Sequence, residues 1–155
     1  MMCAVGTPGG RGTLGLAVAP GSEDPDDAKG GEALSKRGRV VLVVEDEVLI
    51  RMALAEALRK TGFNVIEACN AAEALEVVEA GLTPDVLLTD VVLPGHMDGL
   101  HLAAFLEHWL PSIKVFIASG RVVSTDLRLR LNFLAKPFDP KDAAQHIARA
   151  VPPFP

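Results

Sequence analysis

From residue 39 onward the apolar positions switch repeatedly between two periods. Val40-Val41-Leu42-Val43-Val44 is an unbroken, mostly β-branched run, short enough for a strand buried on both faces. From Glu47 to Lys60 the spacing becomes helical, with Leu49 or Ile50, Ala53, Leu54, Ala57 and Leu58 on one side, and Gly62 ends the helix. A strand over Phe63 to Ala68 follows, then a helix capped by Asn70 and running to Ala80, then a strand over Val86 to Thr89 after the Thr83-Pro84 break. The pattern closes with a helix over Gly99 to Trp109, strands over Lys114 to Ala118 and Leu131 to Ala135, and a helix over Pro140 to Ala150 opened by Asp139. Strands that alternate with helices predict an α/β fold with a doubly wound, five-stranded parallel sheet, because each right-handed crossover lays a covering element on one face.

Residues 1–38 break this pattern. They carry Gly-Gly-Arg-Gly, Pro-Gly-Ser-Glu-Asp-Pro-Asp-Asp and Lys-Gly-Gly-Glu, with one short apolar patch from Leu14 to Ala19. So little apolar surface does not offset the entropy of ordering a chain, so a disordered tail is expected, although a misassigned translation start accounts for the composition equally well. The expected organisation is a tail over 1–38, one folded domain over 39–150, and a short C-terminal tail over 151–155.

Composition agrees with one domain. A chain of 155 residues, 49% hydrophobic and 23% charged, suffices for one core of ordinary size. The net charge of −5 argues against a general nucleic-acid surface, which needs clustered Lys and Arg. Cys3 and Cys69 match no zinc or redox spacing and read as reduced thiols. No run reaches the length of a membrane span and no secretion signal opens the chain, so a cytoplasmic protein is expected.

Ligands of open parallel sheets bind beyond the carboxyl ends of the strands. There the sequence places Glu45-Asp46-Glu47 after the first strand, Asp90 after the third, Ser119-Gly120 after the fourth and Lys136-Pro137-Phe138 after the fifth. Carboxylates gathered at low dielectric repel one another, so Glu45, Asp46 and Asp90 call for a cation, and oxygen-only ligation selects Mg2+ or Ca2+. Mg2+ prefers to share its shell with water and phosphate, which points to phosphoryl chemistry. An Asp carboxylate can attack phosphorus to form an acyl phosphate while an ammonium and a hydroxyl neutralise the transferred oxygens; Asp90, Lys136 and Ser119 suit those three roles. Taken singly, a helix cap for Asp46, a turn for Ser119 and a surface charge for Lys136 are the simpler readings. Together, the placement of all these residues at one sheet edge favours a site.

These residues resemble the receiver domain of two-component response regulators over roughly residues 39–150. The resemblance rests on Val43-Val44-Glu45-Asp46-Glu47, on Thr89-Asp90 followed by Leu93-Pro94-Gly95 and Met97-Asp98-Gly99, on Ala118-Ser119-Gly120, and on Lys136-Pro137-Phe138. It implies a flavodoxin-like strand order 2-1-3-4-5 and a phosphoacceptor at Asp90, supplied by a histidine kinase or histidine phosphotransferase. It further implies a Mg2+ site at Glu45, Asp46, Asp90 and the backbone carbonyl of Val92, a phosphate-binding Lys136, a switch pair of Ser119 and Phe133, and a cis bond between Lys136 and Pro137. Val92 and Arg121, two residues beyond Asp90 and Ser119, are placed to control water access to an acyl phosphate. By the same resemblance the protein is no enzyme beyond its own phosphorylation and dephosphorylation.

Two departures qualify the match. Only residues 120–130 connect the fourth strand to the fifth, fewer than a parallel crossover usually takes, so a shortened or irregular helix is expected there. The segment from Leu93 to Gly99 carries one extra residue, which lengthens the loop beside Asp90. His96 in that loop reads as solvated and Asp98 as a helix cap. With no helix-turn-helix or second core after Ala150, a stand-alone receiver is expected, acting through a downstream protein target or a phosphorelay, or as a homodimer, and with neither nucleic acid nor membrane as partner. Two rivals are a degenerate receiver that docks partners without phosphorylation and a small Mg2+-dependent phosphatase. The phosphatase wants a second Asp two residues after the first, where this chain has Val92.

Overall fold

The structure, a computed structural model, describes residues 38–120 and 132–153. Residues 1–37 of the tail expected over 1–38, residues 121–130 of the crossover expected over 120–130, Leu131 and the last two residues lie outside that range.

Five strands form one parallel sheet in the order β2-β1-β3-β4-β5: β1 (Val40–Val44), β2 (Asn64–Ala68), β3 (Val86–Asp90), β4 (Lys114–Ser119) and β5 (Asn132–Ala135). Four helices are described: α1 (Val48–Lys60), α2 (Ala71–Glu79), α3 (Gly99–Trp109) and α4 (Pro140–Ala150). The expected architecture and strand order are the observed ones, and the element boundaries fall within one residue of those the pattern gives. Among the described residues no helix is long and apolar enough to cross a membrane.

The continuous apolar runs of the inner strands follow from burial on both faces. Val41, Val43, Val86, Leu88, Phe116 and Ala118 face one core, against Leu54 and Leu58 of α1 and Ala144 and Ile147 of α4. Alternate residues Leu42, Val44, Leu87, Val115 and Ile117 face the other, against Ala74 and Val78 of α2 and Leu102 and Leu106 of α3. A period of two gives each residue one face, so the parity set in the core continues to the strand ends.

Local signals end the helices where the sequence puts them. Asn70 accepts from the Glu73 N–H, Asp98 from the His101 N–H and Asp139 from the Lys141 N–H, each satisfying a backbone donor left open by the first turn. Gly62 takes a φ of +98° after α1, a conformation costly for a residue with a Cβ. One detail decides between expected alternatives and two differ from the expected pattern. Ile50 turns inward while Leu49 is 81% exposed, and Ala55, outside the expected stripe, is fully buried. Val151, expected to begin a tail, packs into the α1–α4 core, and the Pro153 carbonyl accepts from the Arg39 N–H at 3.2 Å. Cys69 is a free thiol, 3.0 Å from Glu73 Oε1.

Candidate functional site

Among the described residues the buried polar side chains are Glu45, Thr89 and Ser119, and all three stand at the carboxyl ends of strands. Parity explains how the charged groups meet. Glu45 lies two residues beyond Val43, Asp90 two beyond Leu88 and Lys136 two beyond Leu134, so all three continue the face that packs against α1 and α4. In the sheet register Asp90 pairs with Ala118, and Ala118 with Leu134. The strand between Asp90 and Lys136 thus offers only Ala118 and then Gly120, small residues that leave the lysine a path across. The peptide bond from Lys136 to Pro137 is cis.

Lys136 Nζ donates to Asp90 Oδ2 at 2.6 Å and to Glu45 Oε2 at 2.7 Å. Asp46 completes the group: Glu45, Asp46 and Asp90 each offer a carboxylate oxygen, and these oxygens lie within 4.8 Å of one another. Three acids therefore gather at one place, two of them in contact with one ammonium. Burial pushes the Glu45 carboxyl above its ordinary range, against the opposing pull of Lys136. For Lys136 burial works downward, but the hydrogen bonds it donates to Asp90 and Glu45 and their two negative charges outweigh it and leave its pKa raised. An oxygen-only cluster with excess negative charge, open on the Asp46 side, has the donor chemistry of a Mg2+ site.

A family model for the response regulator receiver domain matches residues 41–148. The chain belongs to that family. Over 110 residues the receiver is 39% identical to the sensor kinase CckA of Brucella abortus, a match that covers 67% of this chain and 12% of CckA. Over 117 residues it is 37% identical to the DNA-binding transcriptional regulator NtrC of Escherichia coli, covering 72% of this chain and 24% of NtrC. The chain thus spans a quarter or less of the length of those curated relatives. Among solved structures, the receiver domain of the hybrid histidine kinase CckA aligns with a TM-score of 0.60 at 34% identity, covering 71% of this chain and 96% of that one. A CheY-like receiver domain from Methanospirillum hungatei aligns with a TM-score of 0.64 at 25% identity, covering 72% and 92%.

The remaining residues singled out in the receiver sequence sit around this cluster. Ser119 is buried at the end of β4, and its carbonyl accepts from the Lys136 N–H at 2.9 Å. Phe133, half-buried on β5, pairs in register with Ile117 and packs on the α2–α3 side of the sheet. The Val92 N–H donates to Asp90 Oδ1 at 3.1 Å, so both Asp90 carboxylate oxygens are engaged. His96 is exposed, as expected of a loop residue, and the extra residue of that loop is absorbed by a turn in which Gly95 takes a φ of +102°. Asp98 caps α3, and the His101 N–H, then the His101 ring, hold its carboxyl below the usual range. Arg121 lies outside the described residues.

Three contributors were given no role by the sequence reading, although Thr89 and Gly99 stand in its motifs. The Thr89 hydroxyl donates to the Asp90 carbonyl at 2.9 Å, fixing the backbone that carries the carboxylate. Gly99 lies so close behind it that a Cβ there would stand 1.7 Å from the Asp90 carbonyl oxygen. The Asp-Gly pair carried a signal for this, since glycine is required wherever backbone approaches backbone. Arg51, in the first turn of α1, donates to the Glu45 carbonyl at 2.6 Å. Its only signature in the sequence is a base in a helical turn preceded by three consecutive acids.

Proposed function

We propose that this receiver accepts a phosphoryl group on Asp90 from a histidine kinase or histidine phosphotransferase, with Mg2+ as cofactor, and passes the signal on through changed protein contacts. The observation that carries the reading is the 2.6 Å contact between Lys136 Nζ and Asp90 Oδ2 within an acid cluster at the sheet's carboxyl edge. An Asp oxygen attacks phosphorus, the bond from phosphorus to the donor nitrogen breaks, and the donor imidazole departs with that electron pair. Lys136 moves from sharing two carboxylates to neutralising the transferred oxygens, and the Ser119 hydroxyl turns toward them. Glu45, Asp46, Asp90 and the Val92 carbonyl would hold Mg2+, which when bound supplies charge neutralisation for the incoming phosphate. The drawing-in of Ser119 frees space into which the Phe133 ring moves, biasing the adjacent surface toward a second packing.

The domain carrying this function is residues 39–150, and its catalysis is confined to its own phosphorylation and dephosphorylation. An intracellular, cytoplasmic setting follows from such a donor. An apolar rim beside the acids favours a protein donor: Val48, Leu49 and Met52 are exposed on α1, next to a cavity of about 490 Å³ lined by Ile50, Ala53, Lys136 and Phe138 among others. A downstream protein target, or a second copy of the chain, reads the switched surface.

A histidine-phosphorylated donor protein tests the reading. Label should pass to the native receiver, should not pass to Asp90→Asn, and should stop when EDTA removes Mg2+. Transfer that survives Asp90→Asn would overturn the assignment. Partner binding that is indifferent to Asp90→Ala would turn the reading toward a docking module that works without phosphorylation.

A further inference from the structure

Glu45 and Asp46 sit on a loop whose own bonding is slight, a 3.3 Å hydrogen bond from the Glu47 N–H to Glu45 Oε1. The α1 N-terminus has no side-chain cap at Glu47, and Glu45-Asp46-Glu47 is a run of three like charges that repel one another. Yet the backbone of Glu45 is gripped from both sides. Its N–H donates to the Ala68 carbonyl at 3.1 Å, at the end of β2. Its carbonyl accepts from Arg51 Nη1 at 2.6 Å.

Arg51 is itself held. Its Nε lies 3.8 Å from Glu67 Oε2, and the other oxygen of that carboxylate accepts from Arg59 Nη2 at 2.9 Å. Glu67 precedes Ala68 on β2, so two adjacent residues of the edge strand grip Glu45, one through its backbone and one through a guanidinium. The Arg51 side chain is only 16% exposed, which makes its geometry costly to abandon. Because the Glu45 carbonyl and the Asp46 N–H share one planar peptide, the Arg51 bond also fixes the direction in which Asp46 leaves the backbone.

We infer that Arg51, clamped by Glu67, is a positioning residue for the acid pair Glu45–Asp46, and that it raises cation affinity although it adds positive charge beside the cation site. The inference rests on the Mg2+ reading above and assigns the edge strand β2 a part in it. Two effects of Arg51 oppose each other. Its charge repels a cation, so deletion on electrostatic grounds alone would tighten Mg2+ binding. Its hydrogen bond preorders the loop, so deletion on positional grounds weakens binding, and loss of an outer-shell partner commonly lowers metal affinity about tenfold or more. The sign of the change separates the two.

The test is calorimetric titration of Mg2+ into the full chain, as native protein, Arg51→Ala, Arg51→Lys and Glu67→Gln, alongside rates of phosphorylation by acetyl phosphate across Mg2+ concentrations. Arg51→Ala should weaken Mg2+ binding about tenfold, and the rate at saturating Mg2+ should stay within about threefold of native, since ordering lost from the free loop is restored by the bound ion. Arg51→Lys, a base without the planar fork, should recover only part of the affinity. Glu67→Gln loosens the anchor of Arg51 and frees Arg59, and should fall between native and Arg51→Ala; Arg51→Lys keeps the charge, so weaker binding there is positional, and it carries the test if Arg51→Ala does not fold. Unchanged or tighter Mg2+ binding in the folded variants overturns the inference alone. A native protein that binds no Mg2+ overturns both the inference and the metal reading on which it rests.

Discussion

Acids stand at both ends of this parallel sheet, and the two ends use them differently. At the amino edge Asp85 is satisfied by its neighbours: Oδ2 accepts from the Val40 N–H at 2.8 Å, Oδ1 lies 3.7 Å from Arg39, and its carbonyl takes the Lys114 N–H at 2.9 Å. Asn64 closes the same edge by donating to the Gly38 carbonyl at 2.8 Å. At the carboxyl edge Glu45 and Asp90 share the single ammonium of Lys136, with Asp46 alongside. One carboxylate balanced by its own donors is a fastener, whereas three gathered where one ammonium touches two of them leave negative charge uncompensated, which stabilises an arriving cation.

Removing the shared cation should break the contrast most severely. Lys136→Met leaves Glu45, only 2% exposed, without its partner, at a cost of about 3 kcal/mol of stability by the usual penalty for an uncompensated buried charge. Chemical denaturation should show that loss, and phosphorylation of Asp90 should fall with it. Gly99→Ala attacks the same edge sterically. A Cβ 1.7 Å from the Asp90 carbonyl oxygen forces the α3 start away from β3, costing about 2 kcal/mol, in the range for overpacking, and misaiming Asp90. A variant that is fully stable and phosphorylated at the native rate would contradict the role given to this contact.

Proton linkage sharpens the comparison. The Glu45 carboxyl is raised above its ordinary 4.5 by burial, so the folded state keeps a proton that the unfolded chain has released. Stability contributed at this position therefore falls as pH rises from the ordinary glutamate value through the raised one. Asp98, lowered from 3.8 chiefly by the His101 N–H, has the opposite sign: its contribution is present above 3.8 and disappears as pH falls through the depressed value. Melting temperatures recorded against pH without divalent cation should lose the declining limb in Glu45→Gln and keep the acid limb. Asp85→Asn should give the smallest effect. It weakens one half-exposed set of hydrogen bonds, about 1 kcal/mol, and should leave Mg2+ binding and phosphorylation untouched.

The elements most legible in the sequence are those where period and punctuation agree. Val40-Val41-Leu42-Val43-Val44 can only be a strand covered on both faces, and Asn70, Asp98 and Asp139 mark helix starts by chemistry as well as position. Phase was less legible: the helical stripe of α1 admitted Leu49 or Ile50, and only packing against the sheet turns Ile50 inward. Val151 looked like tail because five residues ending in Pro-Pro-Phe-Pro have no period, yet it closes the core below α4. Of the site, the acids, Ser119 and Lys136 were visible because strand ends converge. Thr89 and Gly99 stood in the motifs without a role and Arg51 stood in none, because all three act on backbone atoms, and a contact with a carbonyl leaves no trace in residue type at its receiving end.

The most direct measurement is intact mass of the native protein and Asp90→Asn after incubation with Mg2+ and acetyl phosphate. The account predicts one acid-stable, base-labile phosphoryl adduct on the native chain and none on the variant. A folded native protein that gains no adduct under these conditions, or an adduct that persists in Asp90→Asn, would contradict it.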